Sequence, residues 1–447
     1  MGDPADYEEV KMTFPMMEGP FKPTWESIDI HYPGIPEWFK YGKFGFWVHF
    51  GPQSAGESGD WYARNMYKEN ETAYKNHLKR YGHPSEIGYK NILAEWNPQK
   101  FSPAYYVKLY KEAGAKFIMI QDVHHDNFDL WDSDYQPWNS VNLGPKRDYL
   151  KEWAESARAA KIHYGITFHH EYTWWWWQTA FWSDKSGPKS GIPYDGEQSF
   201  KKGKDALWKG YDPRMLYGIN LNEYIGMDKF QYMPPKGIFK RHMEYAHWYA
   251  NNWALRILDA INKYDPDFIY TDGTNQSPFC GIETGTGYKC DAMQRVIASY
   301  YNQRIKRHGK VNAFAIVKFR KDKPNKIVTT AEGYIPHDIR KDQTWIGENA
   351  VGDWYYKPDI VYSSDALIKY MLEIISRDGY YIVNIPFKPD GSIDKECEIM
   401  LKEVGKWMNI NGEGIYGSKA WKKPGEGKNG NIRMFPNGQL SQYHAEF

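Results

Sequence analysis

Short apolar runs alternate with helix-length amphipathic stretches from residue 44 to residue 386, and few folds accommodate that rhythm. Residues 44–51 (FGFWVHFG), 116–123 (KFIMIQDV), 163–170 (HYGITFHH), 268–273 (FIYTDG), 311–317, 326–332 and 380–386 read as strands. Between them, 103–115, 148–160, 244–264, 292–308 and 365–376 carry helical spacing, the first opening on Pro103. Near-continuous apolar strands are buried on both faces, which is the habit of a parallel sheet covered by helices. Seven or eight such units predict an α/β chain closed into a (β/α)8 TIM-like barrel, with its chemistry at the C-terminal ends of the strands.

Those ends carry His49, His124, His125, Asp126, His169, His170, Glu171, Asp272 and Glu332. We divide the chain into an N-terminal extension (1–35), a catalytic barrel (36–408) and a C-terminal segment (409–447) read as the start of a β-sandwich module. Residues 171–236 break the rhythm, are rich in Trp, Gly, Lys and Tyr, and hold four successive tryptophans, Trp174 to Trp177. A long insertion at a strand's C-terminal end is expected to cap the site as a lid. Packing of a surface loop on its own aromatics is the plainer account.

Charge and cysteine content narrow the classes of partner. A net charge of +1 on 447 residues offers no field for nucleic acid, and no run of 18 apolar residues predicts a membrane span. Aromatic residues make up 17 % of the chain, as a sugar site would require, although core packing alone could use them. Three cysteines, Cys280, Cys290 and Cys397, make no disulfide framework. Cys280 could pair with Cys290, and buried thiols are as reasonable. The opening Met1-Gly2-Asp3-Pro4 lacks a basic n-region and an apolar h-region. We expect a periplasmic or secreted enzyme whose leader is outside this sequence, with a cytoplasmic one as the alternative.

Glycosidic cleavage needs two carboxyl groups flanking one anomeric carbon, about 5–5.5 Å apart in a retaining enzyme. Asp272 and Glu332 end apolar strands and could supply that pair. Asp272 could equally cap a helix, and Glu171, Glu283 and Glu348 compete with Glu332. The histidines could bond sugar hydroxyls or hold a metal. Adjacent residues on a strand face opposite ways, so each His-His pair should place one ring in a common site.

The same segments resemble glycoside hydrolase family 29, the α-L-fucosidases, over most of 36–420. The likeness runs through Trp38-Phe39, Val48-His49-Phe50-Gly51, Asp60-Trp61-Tyr62-Ala63-Arg64-Asn65-Met66-Tyr67, and the long stretch from His124-His125-Asp126-Asn127-Phe128 and Leu130-Trp131-Asp132-Ser133 to Gly144-Pro145-Lys146-Arg147-Asp148. It implies a retaining exo-hydrolase that releases terminal α-L-fucose from an oligosaccharide or polysaccharide, without metal or other cofactor. Asp272 falls at the nucleophile of a Trp-x-Asp-Gly motif, and Glu332 is carried over as the acid/base. His49, Asp60, Trp61, His124, His125 and Trp131 match sugar-binding positions, and His169 and His170 are added as substrate-binding candidates. Three departures stand out. Val123 replaces a usual Lys, Thr167-Phe168-His169-His170 replaces a Tyr-Tyr-Ser ending, and Trp345-Ile346 replaces a Trp-Glu pair. These changes suggest an α-L-galactosidase acting on algal galactans as one alternative, since the two sugars differ by one hydroxyl. A sugar-binding barrel without catalysis and a metal-dependent hydrolase are the others.

Overall fold

β-branched and aromatic residues run through each apolar segment, and such residues suit a pleated surface buried on both sides. The computed structural model describes residues 10–202, 211–220, 240–272, 290–318, 327–341, 343–425, 432–434 and 440–442. Its eight parallel strands are β1 (Phe44–His49), β2 (Phe117–Val123), β3 (His163–Phe168), β4 (Phe268–Thr271), β5 (Phe314–Val317), β6 (Thr329–Glu332), β7 (Trp345–Ala350) and β8 (Tyr380–Pro386). Neighbours follow the order β5-β4-β3-β2-β1-β8-β7-β6. The two ends of that order meet: the Val317 amide donates to the Val328 carbonyl (3.4 Å), and the Val328 amide donates to the Ala315 carbonyl (3.2 Å). The strands therefore close into the expected barrel.

Seven of the strands match the apolar runs, trimmed by up to three residues at either end. The exception, β7, has the sequence WIGENA, whose Gly, Glu and Asn hide it from an apolar-run criterion; only its register with β6 and β8 makes it a strand.

Aromatic rings seal the N-terminal end of the barrel. Phe44, Phe117, Phe268, Phe314, Trp345 and Tyr380 are first residues of strands, and all are buried. Phe268 and Phe314 stack at 4.8 Å, Phe39 lies 4.3 Å from Phe314 and 4.2 Å from Tyr380, and Trp38 stacks on His163 at 3.9 Å. Much of the aromatic content is therefore core. Gly45 lets β1 and β2 approach so closely that a Cβ there would sit 2.6 Å from the Phe117 carbonyl oxygen.

Within the N-terminal extension, Met12, Met17 and Phe21 donate backbone N–H groups to Asp291, Ser299 and Asn302 at 2.7, 2.9 and 3.0 Å, which tie it to the barrel. The boundary at 408/409 falls inside one helix, Lys395–Ile415. It was hidden by the Gly- and Asn-rich composition of its last turns. Beyond it, Ile432–Met434 and Leu440–Gln442 form an antiparallel pair. Cys397 is a buried free thiol; a Cys280–Cys290 pairing lies outside the described residues. No helix among the described residues is long and apolar enough to cross a membrane.

Charged networks fix the parts that carry the site. Arg256, on the Lys240–Tyr264 helix, grips both oxygens of Asp129 and donates to Asn127 Oδ1 at 2.6 Å. Arg256 and Asp129 are fully buried. This clamp holds the loop that follows β2, in which Asn127 takes a left-handed φ of 65°. The insertion is tied to residues 67–90 through two carboxylates. Asp195 receives Tyr67, Lys90 and Tyr217 at 2.5, 2.9 and 2.7 Å, and Asp184 receives Tyr74 and His83 at 2.7 Å each.

Removing one partner of a buried pair leaves an uncompensated charge, which costs about 3–5 kcal/mol. Arg256→Met is expected to lose that much stability in urea unfolding, and a loss below about 1 kcal/mol would show that the clamp is not needed.

Candidate active site

Every strand delivers a polar side chain to the C-terminal end of the barrel. His49 ends β1; His124 and His125 follow β2; His169 follows β3; Asp272 follows β4; Lys318 follows β5; Glu332 ends β6; Glu348 lies in β7 and Asn384 in β8. All but Glu332 are buried.

Asp272 stands at the centre. Its amide donates to the Phe168 carbonyl (2.9 Å), which anchors the residue directly after β4. One carboxylate oxygen, Oδ2, accepts from His169 Nδ1 at 2.9 Å and lies 3.9 Å from His125 Nε2. The other, Oδ1, is 2.9 Å from the Lys318 ammonium. Burial would raise this carboxyl, but the Lys318 charge and the His169 bond outweigh it and hold Asp272 well below the usual carboxylate range.

Lys318 also reaches Glu332 Oε2 at 2.9 Å. The two carboxylates thus share one ammonium, and their bound oxygens are separated by no more than twice that distance. Glu332 is 28 % exposed and is the more open of the two. The third carboxyl, Glu348, is completely buried and accepts the Tyr270 hydroxyl at 3.1 Å. Burial pushes it up to about 8 against the pull of Lys318.

Four imidazoles line the same end. His49 Nδ1 meets Asn384 Oδ1 at 2.9 Å, His124 Nδ1 meets the Gln53 amide at 2.7 Å, and His125 Nδ1 donates to the His169 carbonyl at 2.5 Å. Burial lowers all four rings, His125 to about 3, so each is a neutral donor-acceptor. One ring nitrogen from each of His49, His124 and His169 lies within 4.8 Å of the other two, a set that could hold a metal ion. Asp60 Oδ1 is 3.8 Å from His124 Nε2; burial and then Asp353 raise its carboxyl well above the ordinary value. Trp61 meets His125 edge to face at 5.6 Å, and Trp176 from the insertion lies 5.8 Å from the same ring.

The alternation rule separates His169 from His170 and fails for His124 and His125. His170 turns outward, 3.4 Å from the Trp253 carbonyl on the Lys240–Tyr264 helix, so it does not join the site. His124 and His125 both turn inward, and their rings are 4.2 Å apart in the same site. Trp131 is also elsewhere. Its buried indole N–H needs an acceptor and finds Asp259 Oδ2 at 2.9 Å on that outer helix. Glu283 lies outside the described residues.

Sequence reasoning missed Lys318, Gln53, Trp354 and Tyr355. Lys318 was within reach, since it directly follows an assigned strand. It supplies the ammonium between Asp272 and Glu332, and Val123, where the resemblance leads one to expect a lysine, is fully buried. Trp354 lies 4.8 Å from His49 and Tyr355 lies 5.1 Å from His124, both on the segment after the unrecognised β7.

Residues 10–413 match the family model described as Alpha-L-fucosidase. The tissue alpha-L-fucosidase of Rattus norvegicus is 25 % identical over 419 residues, covering 91 % of this chain and 74 % of that protein. The plasma alpha-L-fucosidase of Homo sapiens is 24 % identical over 417 residues, covering 90 % and 73 %. Among solved structures, the Thermotoga maritima alpha-fucosidase in complex with a mechanism-based inhibitor aligns with a TM-score of 0.66 at 23 % identity, over 93 % of this chain and 83 % of that one. The alpha-L-fucosidase of Vibrio sp. strain EJY3 aligns at 0.59 and 18 %, over 89 % and 59 %. The structural likeness carries the barrel, and the match across nearly the whole chain carries the family: this protein belongs to the alpha-L-fucosidase family of glycoside hydrolases.

Proposed function

We propose that the protein releases terminal α-L-fucose from oligosaccharides by a retaining double displacement, with Asp272 as nucleophile and Glu332 as acid/base. What supports this reading is the shared Lys318 contact: two strand-end carboxylates meet one ammonium, a closeness compatible with a retaining pair. Asp272, held ionised, attacks the anomeric carbon. Glu332 gives a proton to the departing oxygen, then takes one from the water that cleaves the glycosyl-enzyme. The neutral rings of His49, His124 and His125 accept and donate to the sugar hydroxyls, and Trp61 offers its face to the C–H side of the ring. His169 is engaged by Asp272, so its presence acts on the nucleophile and gives no reason to prefer L-galactose. Fucose is therefore the substrate we assign.

Glu332 is preferred to Glu348 for the proton because Glu348 is fully enclosed and bonded to Tyr270. An acid that touches substrate needs an open face.

Asp272→Asn is expected to keep its circular dichroism spectrum and lose on the order of 10³-fold or more of its turnover of p-nitrophenyl α-L-fucoside. Near-normal turnover, or wild-type preference for the L-galactoside, would overturn the assignment. Glu332→Ala should lose roughly 10²–10⁴-fold and recover in part with azide; rescue of Glu348→Ala instead would transfer the role.

Glu348 also has a stability signature. Its folded value, about 8, lies above the ordinary 4.5, so folding favours the protonated form. That contribution is complete below the unfolded value and is lost as pH rises through about 8. Glu348→Gln, which keeps the neutral form, should flatten the decline in thermal midpoint between about pH 5 and pH 8. An unchanged slope would mean that the carboxyl titrates normally.

A further inference from the structure

We infer that His49, His124 and His169 form a three-nitrogen site for a divalent transition ion such as zinc, and that occupancy switches the enzyme off. His169 stands where the family resemblance leads one to expect a tyrosine or serine, so the third nitrogen is a feature of this chain. Three ring nitrogens, one per residue, fall within 4.8 Å of one another on three adjacent strand ends. Zinc bound by three histidines keeps Zn–N distances of about 2.0–2.1 Å and leaves a fourth position open. The rings must therefore close by roughly an ångström, within the reach of side-chain rotation.

Two of the three rings already have the partner a metal ligand needs. Metal-bound imidazoles are oriented by a partner on the other ring nitrogen, commonly a carbonyl or carboxylate oxygen. His49 Nδ1 has Asn384 Oδ1 at 2.9 Å, and His169 Nδ1 has Asp272 Oδ2 at 2.9 Å. His124 Nδ1 has the Gln53 side-chain amide at 2.7 Å, which presents its oxygen after a half-turn. Each Nδ1 then carries the proton and each Nε2 keeps its lone pair. One contact must yield: the Thr167 hydroxyl, which also receives the Trp47 indole N–H at 3.2 Å, lies 3.1 Å from His169 Nε2.

An ion held there occupies the position assigned above to the sugar hydroxyls and places a positive charge beside Asp272. Zinc and substrate then exclude one another. A metal-dependent hydrolase would show the opposite sign, losing activity to a chelator.

The test uses the full, tag-free chain, stripped with a chelator and titrated with zinc by calorimetry and with cobalt by visible absorption. One equivalent is expected to bind, with the intense bands of four-coordinate cobalt. Affinity should fall at least tenfold in His169→Tyr and in His49→Gln, and remain unchanged in the exposed control His337→Gln. Two variants at separate strands guard against a folding defect in either, checked by circular dichroism. No binding to the wild type, six-coordinate cobalt, or undiminished binding in a folded His169→Tyr or His49→Gln would overturn the site. Inhibition by zinc, reversed by chelator, is the expected effect on p-nitrophenyl α-L-fucoside turnover. The mutual exclusion rests on the proposed sugar position: binding that L-fucose does not displace would keep the metal site and remove that position.

Discussion

Closure of the strand ring between β5 and β6 is the constraint on which the rest depends. Val317, Val328 and Ala315 exchange the backbone hydrogen bonds that join the two ends of an otherwise open sheet. Once closed, the ring has two distinct ends. The end where strands begin is filled with Phe and Trp and excludes water. The end where they finish must hold whatever polar groups the loops require, and in a shared enclosure those groups can only be satisfied by one another.

That enclosure explains the electrostatic order of the site. A lone buried carboxylate would take up a proton, and Glu348 does so, its value raised by burial even with a cation nearby. Asp272 escapes because Lys318 and His169 reach its two oxygens from the flanking strands β5 and β3. The imidazoles are neutral for the same reason that Glu348 is protonated: burial penalises the charged form. A single ammonium thus divides three carboxyl groups into one held ionised, one shared and exposed, and one held neutral. A fucosidase-type double displacement needs an ionised carboxylate beside a proton carrier, and these are the roles proposed above for Asp272 and Glu332.

The histidine cluster adds a second consequence of crowding. Rings brought close enough to bond successive hydroxyls of one sugar are close enough to share one ion. What distinguishes a sugar site from a metal site is then which partners orient the Nδ1 atoms: Asn384 and Asp272 face theirs with oxygen, and Gln53 does so once its amide is turned.

Periodicity and local apolar runs are properties of neighbours along the chain, so the strand-and-helix alternation, the barrel, and the placement of His49, His124, His125, His169, Asp272 and Glu332 at strand ends can be read from the residues alone. Which of those groups meet depends on how the strands are brought together. β7 has no apolar run of its own and exists through its register with β6 and β8. Lys318 is one charged residue among many until closure sets it between Asp272 and Glu332. Trp131 and His170 carry the right chemistry but turn to the outer helix, where Asp259 and the Trp253 carbonyl face their polar atoms. Direction and partnership are set by contacts between residues on different strands and helices, and no local pattern encodes them.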